Sequence, residues 1–138
     1  MDKVTGIGGI FIKAKNPKTL AAWYRDNLGV DFGENTYANF KCINDQNEDV
    51  PVTTVISFFK EESEYFNPSK NNCMLNFRVK DLHTLLRELT HKGVDVIDKT
   101  EYHSYGSFGW VMDPEGNKIE LWEPKDENVI KENVKEQH

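Results

Sequence analysis

One stretch of this chain is written twice, and that limits its fold more than any other feature. Residues 6–15, GIGGIFIKAK, alternate as a strand, with Ile10 and Ile12 on one side and Gly9, Phe11 and Lys13 on the other. Asn16 then offers an N-cap with Pro17 at the first helical position, and Gly29 supplies a stop after an amphipathic run in which Leu20, Trp23, Tyr24 and Leu28 recur at spacings of three and four. The same order returns in CMLNFRVKDLHTLLRELTHKGVDVI: a strand from Cys73, a capping Asp81, a helix with Leu82, Leu85, Leu86 and Leu89 on one stripe, and a terminating Gly93. The offset is about 65 residues. Two copies are too few for a solenoid, so the repeat predicts a pseudo-symmetric α+β domain.

Between the copies, residues 36–43 and 51–59 read as strands, the latter β-branched. Residues 44–50 read as a polar turn, and KEESEYFNPSKNN as a linker with no periodicity. After the second copy comes YGSFGWVMDPEGNKIELWEP, two aromatic strands around a DPEGN turn in which Pro114 presets φ and Gly116 suits a positive φ. A turn centred there sets Met112 opposite Lys118, Trp110 opposite Glu120 and Phe108 opposite Trp122. One face then carries Phe108, Trp110, Glu120 and Trp122, and the other Gly109, Val111, Ile119 and Leu121. A glutamate between two apolar residues ordinarily points to water. Three large aromatics make a poor solvent face, however, and suit a concavity with one polar group. Glu120 is therefore read as a pocket residue. Residues 125–138, charged and nearly free of apolar side chains, read as a tail.

The duplicated modules, NPKTLAAWYRDNLGV and DPEGNKIELWEP, taken together and in order, resemble the vicinal oxygen chelate superfamily, the glyoxalase, bleomycin-resistance and extradiol-dioxygenase group. The resemblance covers roughly residues 4–124 and makes residues 1–124 one domain. It implies two βαβββ modules, about 4–60 and 71–124, in a curved, mixed sheet enclosing a cavity. In most members His, Gln or Glu at four strand positions holds a divalent metal. Those positions fall here on Gly9, Met74, a residue near Ser57, and Glu120. Glycine has no donor and a thioether binds hard or borderline ions poorly, while a catalytic zinc site needs about three protein ligands. No metal or other cofactor is expected.

The resemblance also turns particular side chains to the cavity. Phe11 of the first module and Met74, Asn76 and Arg78 of the second join Phe108, Trp110 and Trp122 as expected ligand-binding residues, with Leu75, Phe77 and Val79 packing on the helix instead. His103 lies before a cavity-lining strand and is a candidate at the mouth; His83 and His91 belong to the second helix and are expected to face solvent. The leading function is a small-molecule binder of the bleomycin-resistance kind, working without metal. The alternative is a lyase or isomerase of the glyoxalase kind, with Glu120 as general base or metal ligand; activity as an enzyme stays open. Family likeness and sheet edges point to a homodimer.

Composition excludes other partners. The net charge of −6 and the lack of a Lys/Arg run argue against nucleic acid. No apolar run reaches membrane-spanning length, and the first residues lack the apolar stretch of a secretory leader. Cys42 and Cys73 form no CxxC pair and read as reduced thiols, so a cytoplasmic protein is expected.

Overall fold

The computed structural model describes residues 4–44 and 47–125. Nine elements follow in chain order: β1 (Val4–Ala14), α1 (Pro17–Leu28), β2 (Tyr37–Asn44), β3 (Asn47–Lys60), β4 (Cys73–Val79), α2 (Leu82–His91), β5 (Asp95–His103), β6 (Gly106–Met112) and β7 (Lys118–Pro124). The strands form one mixed sheet in the order β2-β3-β1-β4-β7-β6-β5. β1 runs parallel to β3, and β4 parallel to β7. The halves join where β1 and β4 pair antiparallel. This is the duplicated α+β plan that the sequence repeat predicts, with one difference. Only two strands follow α1, against three after α2, because the chain from Gly29 to Thr36 makes turns where the second module has β5. β3 also starts at Asn47, inside the stretch read as a turn. The charged tail, from Asp126 onward, lies outside the described residues.

Both helices start as their sequences dictate. The side chain of Asn16 accepts from Thr19 N at 3.1 Å and that of Asp81 from Thr84 N at 3.2 Å, each satisfying one of the unpaired N–H groups of a first turn. Their buried faces differ. α2 buries Leu82, Leu85 and Leu86 against Val79, Val111 and Leu121. Each fully buried leucine stabilises by about 1.5–3 kcal/mol. Gly109 lets the helix come close, since a Cβ there would lie 2.8 Å from Leu86 Cδ1. α1 buries only Ala21, with Leu20 and Tyr24 packing against Phe32 and Phe58. Trp23 and Leu28, part of the expected stripe, are 52% and 62% exposed. Trp23 sits one position off the 20–21–24 line that meets the sheet, and Leu28 is the final helical residue.

Alternation assigns the two faces of the sheet. Ile12 and Ala14 of β1, and Phe77 and Val79 of β4, belong to the clusters beneath the helices. Leu75 was expected with them but is 38% exposed, in line with Ile10 across the β1–β4 seam, between the two helices. The other face carries Phe11, Tyr37, Val55, Met74, Phe108, Trp110 and Trp122, buried together with Phe66 and Tyr105.

Candidate functional site

Glu120 lies on this second face and is wholly buried. The hairpin register is the one that the DPEGN turn dictates: Phe108 opposite Trp122, Trp110 opposite Glu120, Met112 opposite Lys118. On its other side β7 sets Glu120 beside Asn76 of β4. The carboxylate is thus flanked in register from two strands. Asn76 Nδ2 donates to Oε1 at 2.6 Å and Trp110 Nε1 to Oε2 at 2.9 Å. The hydroxyl of Tyr65 also donates to Oε2. Three neutral donors therefore hold one carboxylate. Burial raises the Glu120 pKa above the ordinary 4.5, while the three hydrogen bonds and the nearby Lys118 pull the other way. Burial, together with the Glu120 charge, raises the Tyr65 pKa, so the phenol keeps its proton and acts as donor.

Tyr65 belongs to residues 61–72, between β3 and β4, the stretch read as a linker. It covers the second face instead. Phe66 is fully buried there, and Tyr65 stacks on Phe59 with ring centres 5.6 Å apart and planes 7° apart. Lys118 donates to the Tyr65 carbonyl at 2.8 Å, with its ammonium 5.4 Å from the Tyr65 ring and 5.2 Å from that of Trp110. Burial lowers the Lys118 pKa. Around Glu120, the space that the resemblance assigns to a ligand is occupied by side chains of the chain itself.

The expected site residues divide accordingly. Asn76 and Trp110 touch Glu120 directly. Phe11, Met74, Phe108 and Trp122 are buried in the aromatic cluster, and Phe108 stacks on Trp122 at 6.0 Å. Asn76, expected as a cavity-facing residue, is the neighbour of Glu120 on the next strand. Arg78 turns away from the carboxylate. Its Nη1 donates to the carbonyls of Ile7 at 2.6 Å and Thr53 at 2.8 Å. His103 does not reach Glu120 either. It stacks on Tyr105 at 5.0 Å and lies 3.0 Å from Glu101 Oε1. His83 meets Tyr102 on the surface. Sequence reasoning passed over Tyr65, Phe59 and Phe66. The signal was a Tyr-Phe pair inside an otherwise polar stretch. Lys118 was legible too, two residues from Glu120 on the same strand face.

A divalent metal does not fit this donor set. Phe11 pairs with Ser57 on β3 as Asn76 pairs with Glu120 on β7, and each stands five residues before its helix cap, so Ser57 is the counterpart of Glu120. Of Gly9, Ser57, Met74 and Glu120, only Glu120 offers an anionic oxygen, and both of its oxygens already accept from protein donors. Gly9 leaves no vacancy for a ligand: a Cβ there would lie 2.8 Å from the Phe11 ring. Among the described residues no three His, Cys, Asp or Glu side chains come together in a metal-binding group.

The fold has many solved counterparts. A Mycobacterium tuberculosis methylmalonyl-CoA epimerase superposes with a TM-score of 0.57 at 20% identity, over 94% of this chain and 95% of that one. A methylmalonyl-CoA epimerase in complex with methylmalonyl-CoA and NH4+ gives 0.64 at 18% identity, over 88% and 96%. A glyoxalase/bleomycin resistance protein/dioxygenase superfamily member from Vibrio splendidus gives 0.55 at 12%, over 89% and 99%. At these identities the likeness is one of fold. No curated protein matches the sequence. The profile of the Glyoxalase-like domain matches residues 9–122. The chain belongs to that family, within the vicinal oxygen chelate superfamily.

Proposed function

We propose that this protein binds a small, planar, partly apolar organic molecule on the ring-lined face around Glu120, and does so without a resident metal. The observation that carries the reading is the setting of Glu120, a fully buried carboxylate held by three uncharged donors and walled by aromatic rings. Burial by itself disfavours a carboxylate, and the donors that offset it here come from the chain, so a ligand bearing a hydrogen-bond donor can bind by taking the place of one of them. The aromatic rings supply apolar contact area and Glu120 sets orientation. The donor set favours a metal-free site because three of the four family positions hold Gly9, Ser57 and Met74. The site residues of this reading are Glu120, Asn76, Trp110, Trp122, Phe108, Phe11 and Met74, with Arg78 and His103 further out.

One observation favours a second reading. A carboxyl whose pKa is raised by burial suits proton abstraction beside a carbonyl, as an isomerase or lyase requires. In that version Glu120 is the base, Asn76 and Trp110 hold its ring-side orientation, and the surrounding side chains exclude water. Both readings place the protein in the cytoplasm as a homodimer. The open edges of β2 and β5, and the exposed Val4, Ile7 and Leu75 between the helices, favour a second copy. No helix among the described residues is long and apolar enough to cross a membrane.

The experiment is a thermal-shift screen of small organic molecules, with and without zinc, nickel, manganese and iron, on the wild type and Glu120→Gln. A ligand that stabilises the wild type without metal, and loses on the order of 1 kcal/mol of binding in Glu120→Gln, whose amide oxygen accepts more weakly than a carboxylate, supports the reading. Stoichiometric metal retained through dialysis and lost in Glu120→Ala would sink the metal-free part. Light scattering at the 16.0 kDa of a single chain would reject the homodimer.

A further inference from the structure

Three observations meet at Tyr65. Of the donors to Glu120, Asn76 and Trp110 are each only 2% exposed and stand on strands of the sheet, whereas Tyr65 is partly buried and lies on the connection outside it. It is therefore the one donor that can be displaced without breaking strand pairing. Secondly, the Tyr65 ring sits as a bound aromatic molecule would. It stacks on Phe59, meets Trp110 edge-on at 6.3 Å with planes at 88°, and gives its hydroxyl proton to Glu120. Thirdly, Tyr65 is carried by a connection without helix or strand, residues 61–72, and binding residues sit disproportionately on such connections. The neighbouring Phe66 is the fully buried anchor of that segment, so the Tyr65 side chain can leave while the anchor stays. Phe59 also lines a surface cleft of about 1000 Å³ between the start of α1 and the end of β3, with Lys15, Thr36, Lys60 and Glu62.

We propose that Tyr65 is a resident surrogate for the ligand. The site takes a flat aromatic ring bearing one hydrogen-bond donor, a phenol, which replaces the Tyr65 side chain against Glu120, Phe59 and Trp110. This rests on the reading of Glu120 as the ligand-binding group. The chemistry of the site selects the class. A carboxylate accepts a proton-bearing hydroxyl and repels a second anion, so neutral phenols enter and ionised ones do not. The raised pKa of Tyr65 agrees, since a phenol in that position keeps its proton. Phe59 and Trp110 present a face and an edge at the separations that aromatic pairs prefer.

The test uses the full chain and reads the indole N–H resonance of Trp110, the group bonded to Glu120. Two probes are titrated into the wild type and Tyr65→Gly: p-cresol, which is the tyrosine side chain as a free molecule, and toluene, the same ring without the donor. Tyr65→Gly is expected to bind p-cresol about tenfold more tightly than toluene, the worth of one hydrogen bond. The wild type is expected to bind p-cresol with the same Trp110 shift but more weakly, because only the fraction with Tyr65 displaced is competent.

Equal affinity for both probes in Tyr65→Gly overturns the proposal, as does a wild type whose Trp110 resonance stays fixed at saturating p-cresol. The wild-type titration decides the matter even if Tyr65→Gly fails to fold. If the wild type holds a non-aromatic ligand in a Glu120-dependent way and takes no phenol, this inference falls while the small-molecule reading stands. If no ligand depends on Glu120, both fall.

Discussion

In the first half of the sheet, Phe11, Ser57 and Tyr37 stand side by side across β1, β3 and β2. In the second half the same three places, across β4, β7 and β6, hold Asn76, Glu120 and Trp110. The backbone plan is shared, yet of these six places only Glu120 carries a charge. Its half also carries the donors the charge needs, one on each neighbouring strand. The first half supplies rings, with Phe11 lying over Gly9 and Phe59 under Tyr65. The third donor, Tyr65, comes from the connection between the halves. A duplicated fold has thus divided its labour: one copy kept polar chemistry at its centre and the other became a wall. Beside Ser57 the place of the Asn76 amide is taken by Phe11, whose ring offers no hydrogen bond.

The strongest way to break the comparison is to make the halves alike. Ser57→Glu puts a carboxylate in a place 1% exposed, next to Phe11. An uncompensated buried charge costs about 3–5 kcal/mol. The variant should therefore unfold at much lower urea than the wild type, or fail to fold. A midpoint within about 1 kcal/mol of wild type would show that the first half can host a charge after all.

A smaller effect is expected from removing one donor. Tyr65→Phe keeps the ring on Phe59 and deletes the hydroxyl that reaches Glu120. A hydrogen bond to a charged group is worth about 1.5–3 kcal/mol, so above the folded pKa of Glu120, which burial raises, stability should fall by that amount. The loss should shrink at lower pH, where Glu120 holds its proton. An unchanged denaturation midpoint above that pKa would mean that Asn76 and Trp110 alone satisfy the carboxylate.

How much of this was legible beforehand follows from how local each determinant is. The DPEGN turn fixes the β6–β7 register within a dozen residues, so the Trp110–Glu120 pair could be read directly. The caps at Asn16 and Asp81 and the leucine stripe of α2 are equally local. Tyr65 is different. It meets Glu120 across 55 residues of sequence, from a segment with no periodicity. A contact set by tertiary closure leaves no spacing to detect. The same holds for Arg78, whose alternation places it on the site face but whose long side chain is drawn to the Ile7 and Thr53 carbonyls at the sheet seam. The missing strand of the first module was obscured by the repeat itself, because the matching helices suggested matching strands.

The smallest effect, and the finest probe of the charged half, is Glu120→Gln. Asn76 makes this change tolerable. Its Oδ1 is buried without a hydrogen-bond partner while its Nδ2 serves the carboxylate. Rotating the amide by half a turn lets Oδ1 accept from the new glutamine N–H, and the glutamine oxygen still accepts from Trp110 and Tyr65. Near pH 7 the net change should be on the order of 1 kcal/mol or less. Its pH dependence carries the information. The Glu120 pKa is raised in the folded state, so as pH rises through the ordinary 4.5 the unfolded chain loses this proton first. From there up to the folded pKa, folding takes up a proton, and this group's contribution to stability falls with rising pH. Below 4.5 it contributes no slope, and above the folded pKa the loss is complete. Glutamine does not titrate, so the stability of Glu120→Gln relative to wild type should improve steadily from pH 4 upward and then level off. The place where it levels off reports the folded pKa of Glu120. A difference that stays flat, or moves the other way, would mean that the three donors outweigh burial and that Glu120 is an ordinary carboxylate held in a structural network.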